Sequence, residues 1–293
     1  MFKALVASGL LVAFLPAEPP ADYYQATKDQ RGEELRQTLH DLIDDHTALE
    51  YRDTREAIAA VHEDPENPAN LIQIYTRRSV PKVKVDMWNR EHLWPRSRGN
   101  TDKRGPDDTD LHHVYPSDYD VNGKRASLLF DITQPPRPAN FWSMDEDSFQ
   151  PPAIVAGDIA RALFYMAVRY DGSDFQTSDL TLVSADFNGA EMGNLKTLLQ
   201  WHEADPPDAN ERRRNDLIFE KFQHNRNPFI DHPEFAGRIW GLEATSPSFP
   251  SPDNDDKIPP ICAESSSSPS SPHSVPAPTE PTPKSKEPSP VKP

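Results

Sequence analysis

The placement of proline limits what this chain can fold into more than any other feature. There are 32 prolines among 293 residues, and they are unevenly spread. From Thr245 onward proline and serine dominate, and the apolar residues stand isolated. Such a composition cannot bury enough surface to offset the entropy of ordering the chain, so residues 245–293 are expected to be a disordered tail. It would serve as a spacer, a glycosylated segment or a stalk associated with a surface or wall. The foldable body is then residues 22–244. Within it Pro65, Pro68, Pro95, Pro116 and the group Pro135, Pro136 and Pro138 interrupt the chain at short intervals. Proline fixes φ and lacks an N–H, which confines long regular elements to the stretches between these breaks.

Those stretches read mainly as helices. Residues 31–44 place Leu35, Leu39 and Ile43 on one face, and residues 54–62 suggest a second, short helix. Residues 157–170 are apolar nearly all round, as in a buried helix, with Gly172 as its stop. Another helix is predicted over 192–202. Asp208 followed by Glu211 makes a capping box for a helix reaching about Gln223. Residues 225–231 read as an irregular link, and Pro233 opens a last helix ending near Trp240. Strands are expected to be short: residues 71–76, residues 83–88 as a partner of these or of the strand holding His92, that strand itself, and residues 112–115, with Pro116 and Ser117 opening a turn. A helix beginning near residues 120–122 completes a strand, loop, strand, helix order. The fold class is α+β.

Residues 1–21 have the form of a signal peptide: Lys3, an apolar run from Ala4 to Leu15, then small residues at Ala17 and Ala21. No run is long enough to span a bilayer. The single cysteine, Cys262, excludes an intrachain disulfide and has no candidate base nearby in sequence. Net charge is -16, which excludes a protein that coats nucleic acid by bulk charge. A polyanion would have to meet a local basic face, and the lysines and arginines between Arg77 and Arg125 could build one.

The chemistry-bearing residues fall in that same stretch. Asn89-Arg90-Glu91-His92-Leu93-Trp94-Pro95 is followed by Asp110-Leu111-His112-His113-Val114-Tyr115-Pro116 and by Val121-Asn122-Gly123-Lys124-Arg125. Phosphodiester hydrolysis asks for a deprotonated water, in-line geometry and neutralisation of developing charge. A histidine titrates near working pH and suits the base, here His92. Glu91 and Asn122 offer one anionic and one neutral oxygen, a sparse set that suits Mg²⁺ and not a structural zinc. Neighbours on a regular strand point to opposite faces, so Glu91 and His92 can serve one phosphate only by flanking it or where the strand ends. His112 and His113 read as hydrogen-bonded structural groups, with Asp110 orienting one of them. Asn215, Asn225, Arg226 and Asn227 read as bracing behind the site.

Together these motifs resemble the bacterial endonuclease I family, secreted and periplasmic nucleases of the ββα-metal (His-Me finger) class. The resemblance continues through residues 157–170, Trp201-His202, Arg213-Arg214-Asn215-Asp216 and Asn225-Arg226-Asn227-Pro228-Phe229-Ile230-Asp231, spanning roughly residues 71–240. It implies a ββα-metal finger set among helices and an exported endonuclease with little sequence preference, acting on DNA and often RNA. It implies His92 as general base and Glu91 and Asn122 as ligands of Mg²⁺, with Mn²⁺ or Ca²⁺ as the alternatives. It further implies an arginine on the cleaved phosphate; among Arg96, Arg98 and Arg104 the expectation is Arg98. Many relatives have glycine where His224 stands, and a helix end there favours a left-handed residue. The alternative from another class is a secreted, non-catalytic polyanion-binding protein on the same scaffold. A metalloprotease is disfavoured because there is no His-Glu-x-x-His helix.

Overall fold

The computed structural model describes residues 19–99, 105–135, 137–184 and 189–241. Most of the expected leader, the tail, Cys262, Lys103 and Arg104 lie outside the described residues. Among the described residues the N-terminal segment packs on the body through Tyr23 and Tyr24. The Tyr24 hydroxyl donates to Asp231 (2.6 Å), and the Tyr23 hydroxyl accepts from the Arg226 N–H (3.3 Å).

The architecture is α+β, with helices and short strands mixed along the chain. In order come α1 (Gly32–Ile43), α2 (Thr54–Val61), β1 (Glu63–Asp64), β2 (Asn67–Ile72), β3 (Ser79–Pro81), β4 (Asn89–His92), β5 (Val114–Ser117) and α3 (Tyr119–Arg125). There follow β6 (Leu129–Phe130), β7 (Ser143–Met144), β8 (Ser148–Gln150), α4 (Ala156–Arg169), α5 (Leu195–Ala204), α6 (Ala209–Lys221), α7 (Pro228–Asp231) and α8 (Glu234–Trp240). β1, β2 and β3 form an antiparallel sheet in that order, β4 and β5 an antiparallel ribbon, and β8 lies between β6 and β7. β6 is parallel to β8 and β7 antiparallel to it.

The centre is α4. It buries Ile159, Leu163, Phe164, Tyr165, Met166 and Val168, and it packs against α1 and α5. Each such side chain contributes about 1.5–3 kcal/mol on burial. Leu35, Leu39 and Ile43 of α1 are fully buried, as their spacing predicts. Gly157 opens α4 where no other residue fits: a Cβ there would stand 2.0 Å from the Asp205 carbonyl oxygen. A smaller cluster joins Ile58 and Val61 of α2, Leu71, Val80, Val114 and, from α6, Leu217 and Ile218.

Several expectations shift. The strand expected over residues 71–76 begins earlier, at Asn67, and takes in Pro68. That proline is tolerated because β3 pairs only with Asn70, Leu71 and Ile72, so its missing N–H interrupts no bond on that side. Residues 83–88 form no strand: Val83 and Val85 are 87% and 60% exposed, and the alternating pattern has no partner to pair with. β5 runs through Pro116 and Ser117, because a two-stranded ribbon is all edge; the Pro116 carbonyl accepts from Ile74 N–H (2.9 Å). The helix expected from Met192 starts at Leu195, behind the Asn194 cap. The link after Asn225 contains α7, capped by Asn227. Asp208 caps α6 through the Glu211 N–H (2.8 Å), but the Glu211 carboxylate faces Arg161 instead of returning to the cap. His224 adopts φ +64°, the left-handed conformation expected at that helix end.

Candidate active site

The ribbon of β4 and β5 runs into α3, and α3 is fastened back onto β4. Asp118 caps the helix, accepting from the Asp120 and Val121 N–H groups (3.0 and 3.3 Å). Asn122 Nδ2 then donates to the Arg90 carbonyl (3.0 Å). One turn on, Arg125 donates to the His92 carbonyl (3.1 Å) and the Leu93 carbonyl (2.5 Å). Residues three apart on a helix share a face, so Asn122 and Arg125 meet the same strand.

Arg90, Glu91, His92, Pro95, Arg96, Asn122 and Arg125 are among the residues that line one open cavity of about 590 Å³. A second cavity, between α2, β2 and α6, is only about 60 Å³ and too small for a nucleotide. Glu91 and His92 both open on the larger one although they are neighbours on a strand. Glu91 points toward Tyr75 and Arg125, and His92 points toward Asp108 and His113, so they flank the cavity. β4 ends at His92, which frees the second side chain from the pleat.

His92 is 9% exposed, and its Nε2 lies 3.0 Å from the Asp108 carbonyl oxygen. A carbonyl only accepts, so Nε2 carries the proton and Nδ1 keeps the lone pair. Burial, with His113 and Arg96 beside it, holds the imidazole well below its ordinary pKa, so the ring is neutral near pH 7. The His113 ring lies edge-on to it at 5.4 Å and is fixed in the same way, its Nε2 2.7 Å from the Asp107 carbonyl oxygen.

Glu91 is 2% exposed. Its Oε1 accepts from the Tyr75 hydroxyl (2.7 Å) and faces Arg125 Nη1 (3.2 Å). Burial pushes the carboxyl up, against the pull of Arg125 and Tyr75. Among the described residues nothing bonds to Glu91 Oε2 or Asn122 Oδ1, so each keeps an oxygen for a ligand. These are hard donors, one anionic and one neutral, in a cavity with room for several waters. That donor set fits a divalent cation of the Mg²⁺ kind, which takes few protein oxygens. Among the described residues no group of three or more His, Cys, Asp or Glu side chains could hold a metal.

The arginines divide. Arg96 lines the cavity and pairs with both Asp108 oxygens. Arg98 does not line it; its guanidinium donates to the carbonyls of Ser127 (3.0 Å) and Glu191 (3.2 Å). Arg104 lies outside the described residues. Tyr75 and the Asp108 carbonyl were not foreseen from sequence. Tyr75 lies in an ordinary apolar run, and a main-chain acceptor leaves no side-chain signal.

Behind the ribbon the remaining motif residues form a buried polar network. Asp110 accepts from the Tyr165 and Tyr170 hydroxyls (both 2.8 Å), the His112 N–H (2.9 Å) and Gln223 Nε2 (3.0 Å). Asp110 therefore orients the backbone of His112, and the imidazole itself is met by Asn225 (3.2 Å). Asn225 also donates to the Ile43 carbonyl and to Tyr165. Burial alone would raise the Asp110 carboxyl, but the neighbouring histidines and the Gln223 amide hold it below the usual range. Asn215 accepts from the Asn227 N–H, and Arg226 pairs with Asp216 and Asp231.

A model of the Endonuclease I family matches residues 31–234. An extracellular ribonuclease of Bacillus amyloliquefaciens is 44% identical over 234 residues, covering 77% of this chain and 80% of that protein. An extracellular ribonuclease of Bacillus subtilis (strain 168) is 44% identical over 243 residues, 79% of this chain and 83% of its own. An extracellular deoxyribonuclease of Aeromonas hydrophila is 32% identical over 139 residues, 45% and 54% of the two chains.

Proposed function

The chain belongs to the endonuclease I family, and we propose that it is an exported, divalent-metal-dependent endonuclease hydrolysing phosphodiester bonds in RNA and DNA with little sequence preference. One observation carries this reading. An imidazole with a fixed tautomer, a buried carboxylate and a free amide oxygen open on the same cavity.

His92 acts as the general base. With its Nε2 proton held by the Asp108 carbonyl, Nδ1 is the atom that takes a proton from the attacking water. The negative charge of a phosphate in the cavity moves the imidazole pKa back up, toward the range where a base works best at neutral pH. Glu91 and Asn122 would hold the cation through their free oxygens. Tyr75 and Arg125 fix the Glu91 carboxylate, and the Arg90 carbonyl fixes the Asn122 amide with its oxygen toward the cavity. When bound, Mg²⁺ supplies charge neutralisation on the phosphate and the leaving 3′ oxygen, with Mn²⁺ or Ca²⁺ as substitutes. The arginine on the cleaved phosphate, expected at Arg98, has Arg96 as its alternative, because Arg96 lines the cavity. Residues 1–21 act as a cleaved leader and residues 245–293 as a tail outside the catalytic body.

Support for RNA as a substrate comes from the two ribonuclease relatives, and for DNA from the deoxyribonuclease. The experiment is digestion of plasmid and RNA by the protein lacking residues 1–21, with Mg²⁺, with EDTA, and with His92→Ala alongside. Metal-dependent cleavage lost in the variant is the expected result. Binding without cleavage, indifferent to EDTA, would overturn the reading in favour of a polyanion binder.

A further inference from the structure

Among the described residues Arg90 is a cation without a counter-ion. It is half-buried and lines the cavity, yet its guanidinium makes no hydrogen bond and no ion pair, and its Nε is buried without a partner. The chain carries 47 acidic residues against 31 basic ones, so a carboxylate partner would have been easy to supply. Neighbouring arginines have one: Arg96 is met by Asp108 and Arg125 by Glu91. Removing a guanidinium from water without compensation is unfavourable, and the deficit is made good when an anion arrives.

Among the described residues the Arg90 guanidinium lies over the ring of Tyr51. Its Cζ lies 4.2 Å from the centroid of that ring, and the Arg96 Cζ lies 4.6 Å from the same centroid. Two like charges beside one ring repel each other, and the negative face of an aromatic ring offsets part of that repulsion. Tyr51 sits in the turn before α2 and is 39% exposed, whereas Glu91 and His92 are 2% and 9% exposed. The two stacked guanidiniums thus stand at the rim of the cavity, outside the buried carboxylate and imidazole.

We propose that Tyr51 and Arg90 form a backbone-phosphate subsite for the polynucleotide strand, with Arg90 binding the phosphate and Tyr51 a positioning residue that holds Arg90 and Arg96 ready for it. The proposal rests on the nuclease reading for its substrate class. The subsite takes a solvent-facing phosphate next to the one being cleaved, so it strengthens strand binding and leaves the chemical step to the deeper residues.

The test measures binding apart from cleavage. A fluorescently labelled single-stranded oligoribonucleotide is titrated with the full chain in EDTA at several NaCl concentrations, and cleavage is followed separately in Mg²⁺. Arg90→Gln is expected to weaken binding roughly tenfold at moderate salt and to flatten the slope of log affinity against log salt by about 0.7, the value of one phosphate contact on a single strand. Arg90→Lys keeps the charge and should keep the slope while losing part of the affinity. Tyr51→Leu should weaken binding about threefold or more, and Tyr51→Phe should restore it, because the ring and not the hydroxyl meets the guanidiniums. In the cleavage assay these variants raise KM and change kcat little. Wild-type affinity and slope in Arg90→Gln would overturn the subsite, as would equal losses in Tyr51→Phe and Tyr51→Leu. If wild type binds RNA and shows the expected variant pattern but never cleaves, the subsite stands and the nuclease reading fails.

Discussion

The two sides of the β4–β5 ribbon differ in how their charged groups are met. Behind it, the buried charges are met from several directions: Asp110 by two tyrosine hydroxyls and an amide, Arg161 by Glu211 and Asp158, Arg226 by Asp216 and Asp231. In front, capacity is left over. Arg90 has no anion, and Asn122 Oδ1 and Glu91 Oε2 have no donor among the described residues. A satisfied polar network rigidifies a fold, whereas unsatisfied groups facing a cavity are free to bind. The rear therefore carries the shape of the molecule and the front carries its affinity for something outside it.

This division is broken most directly from the front. His92→Ala should lower the cleavage rate by about 10²–10⁴-fold, the usual contribution of a general base, while thermal unfolding stays close to wild type. Activity comparable to wild type would remove His92 from the mechanism. From the rear the reverse is expected: Asp110→Ala strands the Tyr165, Tyr170 and Gln223 donors and should cost about 3–5 kcal/mol in denaturant unfolding. A loss below about 1 kcal/mol would mean that the network is not what holds the ribbon in place.

Acid sharpens the same contrast. His112 and His202 are buried and lowered to about 4, burial being the main cause in both. At these two sites the unfolded chain binds more protons than the folded one between about 6.5 and about 4, so their contribution to stability is fully present above pH 6.5 and declines as pH falls through that window. Thermal midpoints recorded from pH 7.5 down to 4.5 should fall, and His202→Gln should make the decline shallower. A decline as steep in His202→Gln as in wild type would contradict the neutral, buried state of that ring. The smallest effect is expected at the tail: a chain ending at Ala244 should turn over free RNA at the wild-type rate. A large loss there would mean that residues 245–293 touch substrate.

The helices were legible because their signals are local. The Leu35, Leu39, Ile43 spacing and the Asp208 cap act within a few residues, and both are found where expected. The sheets were less so. β6, β7 and β8 are two or three residues long, too short for a period to show, and each depends on a partner remote in sequence. Residues 83–88 had the pattern but no partner, and a pattern alone makes no strand. At the site, Glu91, His92 and Asn122 could be named from order and residue type, and the cavity brings them together. Which arginine faces it could not, because Arg90, Arg96 and Arg98 are equivalent on paper and differ only in what surrounds them. Tyr51 gave no signal at all, since its contact with Arg90 depends on how the turn before α2 meets β4.

The acceptor that orients His92 belongs to the main chain of Asp108 and not to its side chain. Every amino acid brings the same carbonyl, so no codon change at position 108 can delete it. The acceptor atom itself is thereby insured against single substitutions at the point of contact. Its placement is vulnerable to changes that reroute the loop, among them loss of the Asp108 carboxylate that pairs with Arg96.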